Sequence, residues 1–389
     1  MINPLSVRQT IQARLRRFTF SLERQYRSSP LRNAIVAMRS PKPAERFPPD
    51  CRRFAIFLVP GWDLVNGGIM SICSIANETR KLLSANGVSV AVCTGFGSPR
   101  MLRFTKFDND IELLAFSDLL PWFPSGSEVL IHVPELSLQR YVFDRLDAFR
   151  SRSDIKWRFN ILLQNIERIP SEEFVRAIQR VGFTTATIAH KASTAAARNL
   201  GCPIHYLSWF ISAEDFQRVD YSKKKKLIAI SPDFNPARDQ IVHRMAEALP
   251  DHEIIEIRSM TYRQYKNVIR DAKFMFTFGE GLDGYFIESI FSGALAMAIF
   301  EDHYFTSEYR NLPGVFGSSG AAIASVGDFL NGSNDAAIFQ AIVQSQYEVA
   351  SRTFRRELYQ ANVSSFYSLY FPEWHPSSVL QHADSSGLT

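Results

Sequence analysis

The sequence predicts two α/β domains, each built on a parallel sheet with helices on both faces, preceded by a basic helical leader. Three observations indicate this class. Short apolar runs typical of buried strands alternate with helical segments from residue 54 onward. A polar stretch over residues 212–226, which ends in a run of four lysines, interrupts this alternation once. The length of 389 residues is typical of two domains.

The composition is that of a globular protein able to bury a sizeable core, with 46% apolar and 21% charged residues. No apolar run approaches the roughly 18 residues that a membrane-spanning helix needs. The start of the chain lacks the apolar segment of a secretory signal. The four cysteines show neither a C-x-x-C pair nor metal-ligand spacing. These features predict a cytoplasmic protein with reduced thiols.

Basic charge is concentrated in residues 1–50, which hold ten Lys or Arg and three acidic residues. The remaining 34 basic and 36 acidic residues nearly cancel, which argues against a nucleic-acid-binding body. Residues 6–27 can form a helix with an apolar side and an arginine-rich side. Such a helix can lie on an anionic membrane surface or pack on the protein with a solvated basic face. Four prolines over residues 41–49 then predict a linker.

Residues 51–212 form the predicted N-terminal domain. The apolar run at 54–60 predicts its first buried strand, and a helix over 70–86 ends at Gly87. Further strands are predicted at residues 88–94, 128–133, 157–163, 184–189 and 204–207, with a helix over 171–180. The alternation predicts a doubly wound sheet.

Residues 213–335 form the predicted C-terminal domain. Its strands are predicted at residues 227–231, 253–257, 274–278 and 295–300, with helices over 238–249, 261–271 and 286–292. A long helix over 336–360 and an aromatic tail over 366–374 follow. We expect residues 336–389 to cross back to the N-terminal domain.

One segment carries the strongest indication of chemistry: FTFGEGLDGYFIESIFSG, residues 276–293, between a strand and a helix. Glu280 and Glu288 are spaced E-x7-E, one in the turn and one early in the helix. Carboxylates accept hydrogen bonds from vicinal hydroxyls, as in a sugar or a ribose. Glycines admit a ligand close to the backbone, and a helix N-terminus favours a diphosphate. The pattern is typical of a nucleotide-sugar site, although Glu288 lies among apolar residues and needs a partner there.

Two other interpretations stay open from the residues alone. The segment can be a glycine-rich turn whose polar side chains are merely solvated. Alternatively, Gly279, Gly281 and Gly284 spell G-x-G-x-x-G, the form of a dinucleotide-binding loop, and Tyr262 and Lys266 spell Y-x-x-x-K. These glycines follow the third strand of their domain, whereas the fingerprint normally follows the first. An NAD(P)-dependent oxidoreductase is therefore the alternative function.

With these motifs, the sequence resembles the GT-B glycosyltransferases, in particular the retaining group that carries E-x7-E in the C-terminal domain. The resemblance covers roughly residues 54–330. It includes the first strand and Gly-Gly turn, VPGWDLVNGG at 59–68, and SANG at 84–87 before the second strand. It implies two Rossmann-like domains facing a cleft, with the donor held mostly by the C-terminal domain.

The resemblance also implies roles for individual residues. Glu280 would contact the donor sugar and Glu288 the ribose hydroxyls, while the backbone around the turn would line sugar and phosphates. That backbone comprises Gly279, Gly281, Leu282, Asp283, Gly284 and Tyr285.

The phosphate-binding cations of the family match this sequence only in part. Arg238 takes the position of the family's lysine at a helix start, but Asp233 stands where an arginine is expected. Arg258 or Lys266 is the candidate substitute.

In the N-terminal domain, Gly67 and Gly68 are candidates to approach the donor phosphates or the acceptor. His190, at a strand end, is a candidate to contact sugar or acceptor. His132 is expected in the core, because it alternates within a buried strand.

The resemblance implies a hexosyltransferase-type enzyme that retains anomeric configuration and needs neither metal nor cofactor. The implied partners are a nucleoside diphosphate sugar and a glycan or lipid-linked acceptor, in bacterial polysaccharide or glycolipid assembly, with no nucleic acid. Residues 6–27 would place the enzyme peripherally on the inner face of the membrane. A catalytically inactive GT-B binding module is the non-enzyme alternative.

Overall fold

The structure, a computed structural model, describes residues 43–60, 67–95, 113–165, 168–189, 197–207, 209–258, 260 and 262–376. The leader helix at 6–27 and His190 lie outside these residues. The chain divides into two compact units. Unit 1 comprises the residues up to Trp209 together with those from Gln360 onward, and unit 2 comprises Phe210–Tyr359.

Unit 1 is built on a sheet of seven strands, all parallel, in the order β3-β2-β1-β4-β5-β6-β7. Its strands are β1 (Arg53–Val59), β2 (Val88–Thr94), β3 (Leu113–Ala115), β4 (Glu128–Pro134), β5 (Lys156–Leu163), β6 (Phe183–Ile188) and β7 (Ile204–Tyr206). The central strands are buried along almost their whole length, as parallel strands with helices on both faces must be. The chain reverses its winding direction between β1 and β4.

The helices of the first part of unit 1 follow these strands in turn. They are α1 (Gly67–Leu83), α2 (Phe116–Trp122), α3 (Glu135–Tyr141), α4 (Leu146–Arg150) and α5 (Glu172–Gln179). Ser171 begins α5 by accepting a hydrogen bond from the N–H of Phe174 at 3.4 Å, the expected N-cap geometry.

Unit 2 is built on a second parallel sheet, of five strands in the order β12-β11-β10-β8-β9. The strands are β8 (Lys225–Ile230), β9 (Glu253–Glu256), β10 (Ala272–Phe276), β11 (Leu295–Ile299) and β12 (Val315–Phe316). The winding direction reverses between β8 and β10. The prediction of two parallel-sheet α/β domains is confirmed.

The helices of unit 2 are α6 (Arg238–Ala248), α7 (Tyr262–Asp271), α8 (Gly284–Phe291), α9 (Ser319–Ser333) and α10 (Ala336–Thr353). Ser318 caps α9 through Ala321, and Asp335 caps α10 through the N–H groups of Ala337 and Ile338. None of the helices among the described residues is long and apolar enough to cross a membrane.

The last helix, α11 (Arg356–Tyr370), carries the chain from unit 2 into unit 1, with the boundary at Gln360. In unit 1 its buried Tyr367 shares hydrogen bonds with Thr79, at 3.2 Å, and His132, at 3.0 Å. The indole of Trp374 donates to Glu128 at 2.8 Å. The aromatic tail is therefore part of the unit 1 core.

Some elements differ from those expected. Strands β3 and β12 have three and two residues, too few for a recognisable apolar run. Helix α9 is rich in Gly, Ser and Ala and shows little amphipathic contrast. The single helix expected over 336–360 is two helices: α10 ends at Thr353 and α11 begins at Arg356, with Phe354 outside helical geometry. Helix α10 lies within unit 2.

Candidate functional site

The candidate site lies where the winding direction of the unit 2 sheet reverses. In open α/β sheets, ligands bind in the crevice outside the carboxyl ends of the two strands that flank this reversal. In unit 2 these strands are β8 and β10. The turns that follow them are residues 231–237 and 277–283. The E-x7-E segment therefore begins at the position that the topology favours for a ligand.

Hydrogen bonds join the two turns at their base. The N–H of Ser231 donates to the carbonyl of Phe276 at 3.0 Å, and the Ser231 hydroxyl accepts from the N–H of Phe278 at 2.8 Å. Further along the first turn, Asn235 accepts from the N–H of Ala237 at 2.9 Å and leads into α6. The backbone at the edge of the crevice is thus held by its own polar groups.

Asp283 is the N-cap of α8. Its carboxylate accepts from the N–H of Phe286 at 2.9 Å and from the hydroxyl of Thr277 at 2.5 Å. Burial raises the pKa of Asp283 to about 7, with the nearby carboxylates of Asp233 and Glu280 acting in the same direction. The resemblance implied that the backbone of Asp283 lines the phosphates. In the structure its side chain caps the N-terminus of α8.

The three glycines of the segment have different surroundings. Gly281 has φ of +83°, and a Cβ there would lie 2.2 Å from the Phe305 ring, so packing requires glycine. A Cβ on Gly279 would lie 2.9 Å from the Asp233 carboxylate. A Cβ on Gly284 would meet only Glu288, with Oε1 3.7 Å away. Among these glycines, only Gly284 would accept a Cβ at an ordinary contact distance, and that contact would be with a carboxylate.

Glu288 is 9% exposed, and α7 supplies its partners. The Tyr262 hydroxyl donates to Glu288 Oε1 at 3.2 Å, and the Tyr265 hydroxyl, which donates to the Gly284 carbonyl at 3.5 Å, lies close enough to this carboxylate to lower its pKa. Burial raises the pKa of Glu288 to about 7, against the opposing effect of the two phenols and of Lys266. The polar partners that Glu288 needs among its apolar neighbours are thus two tyrosines.

Glu280, the other member of E-x7-E, lies exposed in the turn. The two carboxylates of the motif therefore differ in environment, with one facing solvent and one enclosed. Leu282 is buried, and its N–H donates to the carbonyl of Glu280 at 3.1 Å. The N–H of Asp283 donates to the carbonyl of Gly281 at 3.0 Å. These two backbone donors are occupied within the turn.

Arg238 begins α6 beside the crevice, and its guanidinium lies 3.3 Å from Glu256 and over the Phe278 ring. Arg258 pairs with the same carboxylate at 2.6 Å. Two arginines thus share the carboxylate of Glu256. The Nε of Arg238 is buried and has no hydrogen-bond partner among the described residues. Lys266 instead donates to the Asp215 carbonyl at 3.1 Å.

In unit 1 the corresponding crevice lies outside β1 and β4. Gly67 begins α1, and no atom lies within 4 Å of the position that a Cβ would take there. The carbonyl of Gly68 accepts from the Gln164 amide at 3.0 Å. Glu135, which begins α3, accepts from the N–H groups of Gln164 and Asn165, each at 3.1 Å. Glu135 and Gln164 therefore hold the start of α1 against the ends of β4 and β5.

The structure brings together the turn residues, Glu288 and Arg238 in unit 2, while Gly67 and Gly68 lie in unit 1. His132 is fully buried, as expected. Sequence reasoning missed Tyr265, Thr277, Glu256, Glu135 and Gln164. Tyr262 was noted only as part of Y-x-x-x-K. The spacing of Tyr262 and Tyr265, three residues apart on an amphipathic helix, was the available indication of their shared face. Among the described residues, no group of three or more His, Cys, Asp or Glu is arranged to hold a metal ion.

Comparison with known proteins finds structures of similar fold but no sequence family that matches the chain. No family model matches the chain, and no curated protein sequence matches it. Among solved structures, sucrose-phosphate synthase from Thermosynechococcus elongatus is similar with a TM-score of 0.55 at 10% identity, covering 82% of this chain and 100% of that one. A glycosyltransferase from Rickettsia africae gives 0.55 at 10% identity, covering 82% and 98%.

A third similar structure is Anabaena HepE in complex with UDP-glucose, with a TM-score of 0.53 at 11% identity, covering 81% of this chain and 99% of that one. These neighbours are GT-B glycosyltransferases. At such identities the likeness is one of fold. The chain has the parallel-sheet α/β architecture of that class.

Proposed function

We propose that the protein is a glycosyltransferase that moves a sugar from a nucleoside diphosphate sugar to an acceptor hydroxyl. The observation that carries the proposal is the position of the E-x7-E carboxylates at the crevice of the unit 2 sheet. Glu280 lies in the turn after β10, and Glu288 lies in the helix that follows. The fold likeness to a protein solved with UDP-glucose supports it.

In this proposal, unit 2 binds the donor along one turn. Glu288 accepts hydrogen bonds from the ribose hydroxyls, and Glu280 accepts them from the sugar. The N–H groups of Gly284 and Tyr285, which precede the N–H groups bonded to Asp283, and the positive end of the α8 dipole face the diphosphate in this proposal. Gly279 and Tyr285 complete the backbone that lines the donor.

During transfer, the bond between the anomeric carbon and the diphosphate oxygen breaks, and the acceptor oxygen bonds to that carbon. The acceptor proton passes to the departing diphosphate. Negative charge on the leaving group increases as its bond breaks, so fixed donors aimed at it stabilise the transition state. Arg238 is the proposed side-chain donor, because its Nε has no partner among the described residues. Arg258 is the proposed second cation in place of the arginine that Asp233 replaces.

We further propose that the transfer retains anomeric configuration and needs no metal ion. The test is transfer in the presence of EDTA, with the configuration of the product measured by NMR. Loss of activity in EDTA that Mg²⁺ restores would contradict the metal-independent mechanism. An inverted product would contradict retention.

Acceptor recognition is assigned in the proposal to Gly67 and Gly68 of unit 1 and to His190, which lies outside the described residues. The acceptor class is a glycan or a lipid-linked glycan, with the basic leader holding the enzyme on an anionic membrane. Flotation with anionic liposomes tests the leader. A variant lacking residues 1–40 should stay in the soluble fraction, and flotation equal to that of the full chain would contradict a role of the leader.

The experiment that tests the function is a thermal-shift panel of UDP, GDP, CDP, dTDP, ADP and NAD with the full chain and with Glu288→Ala. A ligand at 100 times its Kd stabilises a protein by about 2.7 kcal/mol. We expect stabilisation by a nucleoside diphosphate that is lost in the variant. Stabilisation by NAD alone would indicate the oxidoreductase instead. Binding of a nucleoside diphosphate without turnover of any sugar derivative of it would indicate an inactive module.

A further inference from the structure

The carboxylate of Glu288 lies beside two tyrosines of α7, both buried, with 7% of the surface of Tyr262 and 5% of that of Tyr265 exposed. The Tyr262 hydroxyl donates to Glu288 Oε1 at 3.2 Å, and the Tyr265 phenol lies close enough to lower the pKa of the carboxyl. Tyr265 itself donates to the carbonyl of Gly284 at 3.5 Å and packs edge-on against the Tyr285 ring. Tyr262 thus uses one of the roughly four acceptor positions of the carboxylate. The remaining positions are available for further donors.

The charged and titratable groups around Glu288 come from three elements. Helix α7 contributes Tyr262, Tyr265 and Lys266, residues 213–215 contribute Asp215, and α8 itself contributes Tyr285. The Lys266 ammonium lies 4.7 Å from the centre of the Tyr262 ring and donates to the Asp215 carbonyl. It thus stabilises the ring position and attracts the carboxylate only through space. No ion pair neutralises Glu288 among the contacts of the described residues.

We propose that Tyr262 and Tyr265 are positioning residues that hold the Glu288 carboxylate beside Gly284, where no side chain of α8 intervenes, so that binding of a ribose diol there is coupled to loss of a proton from Glu288. The inference rests on the proposed function, since it takes the ligand to be a nucleoside diphosphate. Under this proposal, Tyr262 and Lys266 of the Y-x-x-x-K pattern position Glu288. The nucleotide site alone gives that pattern no role.

The physical basis is the balance between burial and donors. Burial favours the neutral acid, and each hydroxyl donor favours the carboxylate. With two phenols the group has a pKa of about 7, so it is partly protonated at neutral pH. A ribose diol adds two hydroxyl donors, and the ionised carboxylate, with about four acceptor positions and no proton of its own, accepts them more favourably than the neutral acid does. Ribonucleotide binding therefore removes the proton, and affinity falls as the pH falls below about 7, by up to about tenfold for each pH unit.

The test is calorimetric titration with UDP, GDP, CDP and ADP between about pH 5.5 and about pH 8.5. Wild type is compared with Glu288→Gln at each pH. The phosphate of the ligand titrates identically in both, so the ratio of the two affinities isolates Glu288. We expect that ratio to rise with pH to a plateau for the best ribonucleotide, and to change less for its 2′-deoxy form, which lacks one hydroxyl of the diol.

Tyr262→Phe and Tyr265→Phe each remove one phenolic hydroxyl that lowers the pKa of Glu288, and both keep the aromatic ring. Each should shift the midpoint of the ratio upward by about one pH unit and weaken binding about fivefold at pH 7, with little change at high pH. Tyr309→Phe is the matched control: Tyr309 is also a buried tyrosine of unit 2, but its hydroxyl donates to Thr353 at 3.1 Å. The control should leave the midpoint unchanged.

The outcomes separate the two proposals. Absence of binding by every nucleoside diphosphate at high pH would overturn the proposed function. Binding with a ratio that does not change with pH would overturn the coupling alone. A normal ratio in wild type that neither tyrosine substitution shifts would overturn the role of the tyrosines. If one tyrosine variant fails to fold, the pH dependence of the wild-type affinity ratio still tests the coupling, and the other variant still tests the role of the tyrosines.

Discussion

The crevices of the two units occupy the same topological position but differ in how their carboxylates are used. In unit 1, the two oxygens of Glu135 accept backbone N–H groups from residues 164 and 165. In unit 2, the Glu288 carboxylate accepts from the side-chain hydroxyl of Tyr262 and lies beside Gly284. The carboxylate of Glu135 therefore fixes backbone, whereas that of Glu288 is held by a side chain and fixes no backbone N–H among the described residues. This difference supports the proposal that the donor binds in unit 2.

The largest expected effect concerns pH, to which the two units should respond with opposite sign. Burial lowers the pKa of His132 in unit 1 from 6.5 to about 3. The unfolded chain therefore binds a proton that folded unit 1 does not, and stability falls as the pH drops from about 6.5 towards 3, by up to about 5 kcal/mol. Burial raises the pKa of Glu288 in unit 2 from 4.5 to about 7. Folded unit 2 then binds the extra proton, and stability falls as the pH rises from about 4.5 to 7, by up to about 3 kcal/mol.

The measurement uses the distribution of tryptophan. All five tryptophans of the chain lie in the residues of unit 1, so their fluorescence follows unfolding of that unit, while circular dichroism follows both. Urea unfolding across pH is compared with His132→Gln and Glu288→Gln. Each substitution should reduce the pH dependence of its own unit and leave that of the other unit unchanged; in unit 2 the remainder comes from Asp283, whose pKa burial also raises to about 7. The same slope in both units would contradict the comparison.

The next effect separates glycines required by packing from those that are not. Gly281→Ala places a Cβ 2.2 Å from Phe305 and holds alanine at positive φ. We expect a loss of about 2–5 kcal/mol in the unfolding free energy. Gly67→Ala in the unit 1 crevice has no atom within 4 Å of the new Cβ and should change stability little. Urea unfolding of both variants tests this expectation. An equal loss of unfolding free energy in the two variants would show that the space beside Gly67 is not open.

Removal of the two buried carboxylates should affect different properties, namely stability for Glu135 and nucleotide affinity for Glu288. Glu135→Ala leaves two backbone N–H groups without acceptors, which costs about 2–4 kcal/mol of stability. Glu288→Ala leaves two phenols that can rearrange, and it should lower nucleotide affinity about a hundredfold with a smaller effect on stability. Denaturation and calorimetry on both proteins give the two numbers. Glu135→Gln, which keeps one acceptor oxygen, is the control for shape.

The smallest effect tests whether the ligand reaches Glu288 past Gly284. Gly284→Ala places a methyl group 3.7 Å from Oε1, an ordinary contact, at the first residue of α8. Alanine is the better helix former, so stability should be unchanged or slightly higher. Affinity for the nucleoside diphosphate should fall about three- to tenfold, because the methyl group takes space that the ligand uses. Unchanged affinity would mean that the ligand reaches Glu288 from another side.

The main strands and the two sheets could be predicted because buried parallel strands are continuous apolar runs in the sequence. Strands β3 and β12 could not, since so few residues carry no periodicity. The break between α10 and α11 could not be predicted, because residues 353–356 contain neither Gly nor Pro. Within the site, E-x7-E was recognisable because its members are close along the chain.

The sequence by itself determined the α/β class, the position of the acidic turn after a strand, and the need of Glu288 for a partner among apolar neighbours. These follow from periodicity and local chemistry, which depend on residues near one another in the chain. Only the tertiary structure decided that the partners are Tyr262 and Tyr265, and that Glu135 is committed to backbone. These contacts join segments about 20 to 30 residues apart, and they form only once the order of the strands has set which helix packs beside which turn.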